Sequence, residues 1–326
     1  MIAKSMGELL LAVLLLHSAE GAGLFVSPAV EAPRIPATAM RALVQSASAE
    51  TFRLPTADDR DAWPRLHDTE SVGVEVTAES AIVVDREYGK VLFEKKADAV
   101  RPIASLTKLM SVLVALESDV ESKTFTFSAG DLAVVGSNSF RAGDTVSGHE
   151  LILASLIASA NEAAAALVPA SGLPEDVFVN RMNKKARELG MARTFFVDPT
   201  GLDARNVSTA RDIVRLLEAL REKPLVREAA RYATVEIPVG EGKFRTIRTT
   251  DLLLKSFLAQ NPYHIAVAKT GSLEEAGFCL GASIDQGQHG VYAVVLDSNT
   301  HFSRFEDMKA LVYWAYDRWE WPTEAL

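Results

Sequence analysis

Read from its first residue, the chain alternates between stretches with no hydrophobic period and stretches with a clear one. Residues 1–22 place Lys4 ahead of the apolar run Leu9 to Leu16, followed by the small residues Ser18, Ala19, Gly21 and Ala22. This is the layout of a secretory signal peptide, and the run is far shorter than the roughly 20 residues that a spanning helix needs. Residues 23–72 are rich in Ala, Ser and Pro and sustain no apolar period, so they read as a linker. Periodicity begins with two strands, Ala81 to Asp85 and Lys90 to Glu94, separated by the hairpin turn Arg86-Glu87-Tyr88-Gly89.

The middle of the chain carries helical spacing: Leu106 to Glu117, Glu150 to Ala158, Asn161 to Val168, Pro174 to Leu189, and Thr209 to Leu220 with Ser208 as its expected N-cap. Strand character returns at Thr234 to Ile237, Phe244 to Ile247, Ile265 to Lys269, Gly277 to Ile284 and Val291 to Leu296. A final helix covers about Phe305 to Trp319. Strands at both ends with a helical middle predict an α+β fold, an antiparallel sheet flanked by helices with a helical insertion, over residues 73–322, with 323–326 as a tail.

Composition narrows the function classes. The net charge is −9 and the 34 Lys and Arg are scattered, which argues against a nucleic-acid partner. A single cysteine, Cys279, makes no internal disulfide and reads as a small buried strand residue. The six histidines show no metal-ligand spacing, and no G-x-S-x-G elbow is present, so neither a metal nor another cofactor is expected. The terminal aromatics Tyr313, Trp314, Tyr316, Trp319 and Trp321 fit a helix packed on the sheet better than an interfacial one.

Candidate chemistry starts on the helix after Pro102, which is apolar almost all round and therefore belongs in the core. Ser105 and Lys108 lie three apart within it, on one face at the helix start. Burial disfavours the ammonium, and a neutral lysine can take the proton of a serine hydroxyl. Taken alone, the pair is better described as a capping serine and a lysine that reaches solvent. Ser159-Ala160-Asn161 then joins two apolar helices, where Asn161 is either a cap or a buried polar group needing partners. Lys269-Thr270-Gly271-Ser272 closes an apolar strand, with a glycine that allows close backbone approach.

In this order the three elements match the S-x-x-K, S-x-N and K-T-G motifs of penicillin-binding enzymes and serine β-lactamases. The surrounding text, Ala104 to Met110, Arg187 to Met191, Asp198 to Asp203 and Ser208 to Asp212, resembles the D-alanyl-D-alanine carboxypeptidase family of low-molecular-weight penicillin-binding proteins. The resemblance implies a transpeptidase-like fold and a periplasmic or cell-wall-associated enzyme. Such an enzyme trims the D-Ala-D-Ala end of peptidoglycan stem peptides through an acyl-enzyme and is captured covalently by β-lactams.

It further implies Ser105 as nucleophile, Lys108 as its base, Ser159 as proton relay and Asn161 as the residue holding Lys108. Lys269, Thr270, Gly271, Ser272 and Arg304 would bind substrate, with the amides of Ser105 and Ser272 as the oxyanion hole. Ala160 stands where the family usually has glycine. The chain also stops soon after Arg304, so no C-terminal membrane anchor is expected. That places it beside shorter members, some of them endopeptidases of cross-linked wall. The same motifs would also serve a β-lactamase, although the deacylating glutamate context of that class is not found here. A catalytically inactive peptidoglycan-binding protein could carry them as well.

Overall fold

The computed structural model describes residues 63–67, 73–136 and 139–322. The expected signal peptide, most of the linker and the tail 323–326 lie outside the described residues. At the centre is a five-stranded sheet built from β1 (Ser80–Asp85), β2 (Val91–Lys95), β3 (Tyr263–Leu273), β4 (Gly277–Gln286) and β5 (His289–Ser298). Its order is β3-β4-β5-β1-β2 and every neighbouring pair is antiparallel. β1 and β5 therefore meet in mid-sheet although most of the chain separates them, and β3 is left as an edge.

Side chains alternate across a strand, and here both faces are buried. Ile82, Val84, Tyr292, Val294 and Leu296 face one core. Ala81, Val83, Val291, Ala293 and Val295 face the other. This two-sided burial is why the strands read as continuous apolar runs. The second core is closed by α7 (Ser303–Arg318) through Phe305, Met308, Leu311, Val312 and Ala315.

The first core is covered by the helical insertion: α1 (Thr107–Glu117), α2 (Gly148–Ile157), α3 (Asn161–Ala170), α4 (Glu175–Glu188), α5 (Ala210–Arg221) and the short α6 (Pro224–Ala229). α1 is buried from Thr107 to Ala115 and packs against α2, α3, α4 and α5. α5 lies on the sheet, where Ile213 and Leu217 fit over the missing side chain of Gly281. The α+β architecture and the helical insertion are thus as expected.

Three details differ. The cap of α5 is Thr209, whose hydroxyl accepts from the Asp212 amide, while the Ser208 hydroxyl is bonded to Thr194 Oγ1. Both residues carry the right side chain, but Ser208 is already committed to pairing with Arg101 in a two-residue ladder. Within the stretch read as linker, Arg65–Leu66 pairs with Trp319–Glu320, and Lys90 Nζ donates to Pro64 O while lying over the Trp319 ring. α6 has no counterpart among the expected helices; proline at its start suits a helix N-terminus, but six residues are too few to show a period.

Candidate functional site

Ser105 stands at the junction of the two layers. Arg101–Pro102 pairs with Val207–Ser208, a 3₁₀ turn over Ala104–Leu106 follows, and α1 begins at Thr107. Ala104 is held at φ 47°, in the left-handed region that costs an alanine strain. Two glycines make that conformation possible. A Cβ on Gly201 would lie 2.1 Å from Ala104 O, and one on Gly271 would lie 2.9 Å from Ile103 O and 3.2 Å from the Ser105 amide. Edge strand β3 therefore passes the Ser105 N–H at a distance that only glycine permits.

Lys108, one turn on, is wholly buried. Its Nζ donates to Ser105 Oγ at 2.7 Å, to Asn161 Oδ1 at 2.7 Å and to the Thr200 carbonyl at 2.6 Å. Burial pulls its pKa down from 10.5 to about 7, against the opposing charges of Asp198 and Glu162. The amine is thus poised to exchange a proton at neutral pH. Asn161 does not cap α3. Ala160 occupies the cap position, and the Asn161 amide bridges Lys108 and the Val135 carbonyl, to which Nδ2 donates at 2.7 Å.

The loop carrying Thr200 is shaped by Asp198. Its carboxylate accepts from the amides of Thr200, Gly201 and Asp203, from the Thr200 hydroxyl and from Asn206 Nδ2. Although burial works against ionisation, these donors hold its pKa below the usual carboxylate value.

A second serine–lysine pair faces the first. Ser159 follows the end of α2 and adopts φ 57°, which turns its hydroxyl toward β3. Lys269 Nζ donates to Ser159 Oγ at 2.8 Å and to the Thr270 carbonyl at 2.8 Å. Burial first, then the charges of Lys108 and Arg304, push the Lys269 pKa well below its ordinary value, and Asp251 opposes them.

Arg304, near the start of α7, is 3% exposed, which rules out an idle surface arginine. It donates to Gly271 O at 2.9 Å and lies against the Phe305 and Phe278 rings at 4.8 and 5.6 Å. Burial lowers its pKa to about 10, so it stays cationic at neutral pH.

Ser105, Ser159, Thr270, Gly271, Ser272 and Arg304 line one cleft of about 280 Å³. Lys108, Asn161 and Lys269 stand behind it, joined to it by the bonds above. All nine residues expected from the sequence converge here. The Thr200 carbonyl, the Thr250–Thr270 hydroxyl pair at 2.6 Å and Asp251 were not anticipated. Asp198-Pro-Thr-Gly carries the signal of a side-chain-closed turn that would have pointed to the first of these.

A hydroxyl bonded to a buried amine near neutrality, facing a cleft rich in positive charge, has the chemistry of a serine acyl-transfer centre that takes an anionic substrate. Residues 67–300 match the family model described as D-alanyl-D-alanine carboxypeptidase. A D-alanyl-D-alanine endopeptidase of Pseudomonas aeruginosa is 34% identical over 244 residues, covering 74% of this chain and 77% of the relative. The D-alanyl-D-alanine carboxypeptidase DacF of Bacillus subtilis is 30% identical over 252 residues, covering 74% of this chain and 63% of the relative. Among solved structures, penicillin-binding protein D2 of Listeria monocytogenes in its cefotaxime-bound form superposes with a TM-score of 0.65 at 30% identity, covering 76% of this chain and 100% of that one. The chain belongs to the D-alanyl-D-alanine carboxypeptidase family, with the penicillin-binding-protein fold, and is a serine-type D-Ala-D-Ala peptidase.

Proposed function

We propose that this protein is exported to the periplasm or cell wall and removes the terminal D-alanine of peptidoglycan stem peptides through an acyl-enzyme on Ser105. The observation that carries the reading is the Lys108 amine, buried and near neutrality, bonded at once to Ser105 Oγ and Asn161 Oδ1. Neutral Lys108 takes the Ser105 proton as Oγ attacks the carbonyl of the penultimate D-alanine. The amides of Ser105 and Ser272 receive the developing oxyanion. Ser159, held by the hydrogen bond from Lys269, relays to the departing amine the proton that Lys108 took from Ser105. Arg304 and Lys269 hold the terminal carboxylate, a task suited to a guanidinium. Water then hydrolyses the ester and regenerates Ser105.

A β-lactam ring presents the same carbonyl and carboxylate, so Ser105 is also the residue that β-lactams acylate. Support comes from the cefotaxime-bound and ampicillin-bound penicillin-binding protein D2 at 30% identity. Export is supported by the layout of residues 1–22. Among the described residues no helix is long and apolar enough to cross a membrane. Cleavage of cross-links is the second reading, favoured by the endopeptidase relatives at 34% identity. A β-lactamase has less support, because the sequence lacks the deacylating-glutamate context of that class.

One experiment tests both peptidase readings. Monomeric and cross-linked muropeptides are incubated with the protein and with Ser105→Ala, and the adduct with labelled penicillin is located by mass spectrometry. Free D-alanine from monomers and a penicilloyl group on Ser105 are expected, and Ser105→Ala abolishes both. Cleavage of dimers without release of D-alanine would replace the carboxypeptidase reading by the endopeptidase one. No adduct and no product would overturn the acylation chemistry.

A further inference from the structure

Asp251 plays no part in the acylation chemistry above, yet it lies only 7% exposed at the back of the cleft. It opens a short 3₁₀ turn over Leu252–Lys255, where Oδ1 accepts from the Leu253 amide at 2.8 Å. A serine or asparagine would cap that turn equally well without burying a charge. The other oxygen, Oδ2, is buried and has no hydrogen-bond partner among the described residues. A buried carboxylate with one free oxygen needs a counter-charge or a water.

Both are at hand. Lys269 and Arg304 are the two cations whose charges bear on Asp251. Between Asp251, Lys269, Thr250 and Thr270 lies an internal cavity of about 10 Å³. That is about the least space a single water needs, and its lining offers the polar partners such a water requires. Arg304 is similarly incomplete, since its Nε is buried without a partner among the described residues.

The charges around Lys269 give this carboxylate a purpose. Lys108 on α1 and Arg304 on α7 both oppose its ammonium, and Asp251 is the group that favours it. Asp198 and Glu162 act on Lys108 instead. Burial raises the Asp251 pKa to about 6, so it is ionised at neutral pH and above.

We propose that Asp251 is a positioning residue: through one water in the cavity behind β3, its carboxylate keeps Lys269 charged and aimed at Ser159. The inference rests on the preceding reading, in which Lys269 and Arg304 receive the terminal carboxylate of a stem peptide or β-lactam. It makes the alkaline limit of the enzyme a property of a residue that substrate does not touch. As pH rises, Lys269 loses its proton and the carboxylate loses a partner. Without Asp251 that loss comes sooner.

The test compares the full chain with Asp251→Asn, which keeps the cap to Leu253, Asp251→Glu, which keeps the charge, and Lys269→Arg, whose guanidinium holds its proton throughout. Acylation by labelled penicillin is measured from pH 6 to 10, KM and kcat are measured for a D-Ala-D-Ala peptide, and melting is followed for each. In Asp251→Asn the alkaline limb moves about one pH unit lower, equivalent to a tenfold loss on that limb, with the change in KM rather than kcat. Asp251→Glu restores the limb, and in Lys269→Arg the limb disappears.

An unmoved limb in Asp251→Asn, or rates lowered equally at every pH, overturns the proposal and leaves a structural cap. If Asp251→Asn does not fold, the other two variants decide: a limb that persists in Lys269→Arg, or shifts in Asp251→Glu, overturns it. Wild-type protein that forms no Ser105 adduct would instead bring down the acylation reading, and this inference with it.

Discussion

Replacing Lys108 by methionine removes one ionisable group from the middle of the molecule while keeping α1 filled with a side chain of similar length. Folding lowers the pKa of this amine from 10.5 to about 7, chiefly through burial. Between those values the unfolded chain binds more protons at this residue than the folded one, so wild-type stability rises with pH across the window and is lowest below it. The full interval corresponds to about 4–5 kcal/mol, of which about 2–3 kcal/mol falls between pH 6 and 9.

Methionine titrates nothing, so the stability difference between wild type and variant should move by that amount in the wild type's favour from pH 6 to pH 9. Relief of Lys269 from the neighbouring charge acts in the same direction. The substitution also leaves Asn161 Oδ1 and Thr200 O without their donor. That costs about 1–3 kcal/mol for each group, but shifts the curves without tilting them. Urea unfolding at four pH values, followed by tryptophan fluorescence, reads the slope directly. Acylation by labelled penicillin should fall by about 10²–10⁴-fold in the same preparations, the range for loss of a positioned base. A stability gap independent of pH, or one that moves toward the variant, would refute a buried amine that titrates near neutrality.

Two further substitutions separate placement from folding. Gly271→Ala puts a methyl group 2.9 Å from Ile103 O and 3.2 Å from the Ser105 amide, so β3 must retreat by a few tenths of an ångström. Acylation should drop by about tenfold with a modest change in melting, because a misplacement of about 1 Å costs about 10²-fold at a reacting centre and this shift is smaller; an unaltered acylation rate would contradict the close approach. Thr209→Ala removes the cap of α5 and should cost about 1 kcal/mol in urea unfolding with unchanged acylation, whereas Ser208→Ala leaves that cap in place.

The site was legible to the extent that the proposed chemistry demands particular side chains. Ser105, Lys108, Ser159, Asn161 and Lys269 had to be those residue types, and apolar surroundings gave each lysine a reason to be other than a surface charge. The strands of the central sheet were legible because burial on both faces leaves continuous apolar runs, as in Val291 to Leu296. What stayed hidden works through the backbone. The Thr200 carbonyl is announced only by the turn signal of Asp198-Pro-Thr-Gly, which does not say that a lysine reaches it, and the left-handed conformations of Ala104 and Ser159 fall on residues that do not advertise them.

Adjacent hydroxyls made Ser208 and Thr209 interchangeable as caps until the Arg101–Ser208 pairing chose between them. Asp251 looked like any polar residue between segments, because nothing local says that its second oxygen is sealed in. The pairing of Arg65–Leu66 with Trp319–Glu320 was invisible for a simpler reason: two residues cannot display a period.

α7 has two duties that pull on the same element. Its Met308, Leu311 and Val312 seal the core on the far side of the sheet, and its first turn delivers Arg304 to the cleft. The grip on the anionic end of a substrate proposed for Arg304 would therefore be borrowed from packing on the opposite face. Warming that loosens this helix would blunt substrate capture while the Ser105–Lys108 pair, anchored in the other core, stays intact. A rise in KM ahead of any fall in kcat would be the signature of the two cores yielding in sequence.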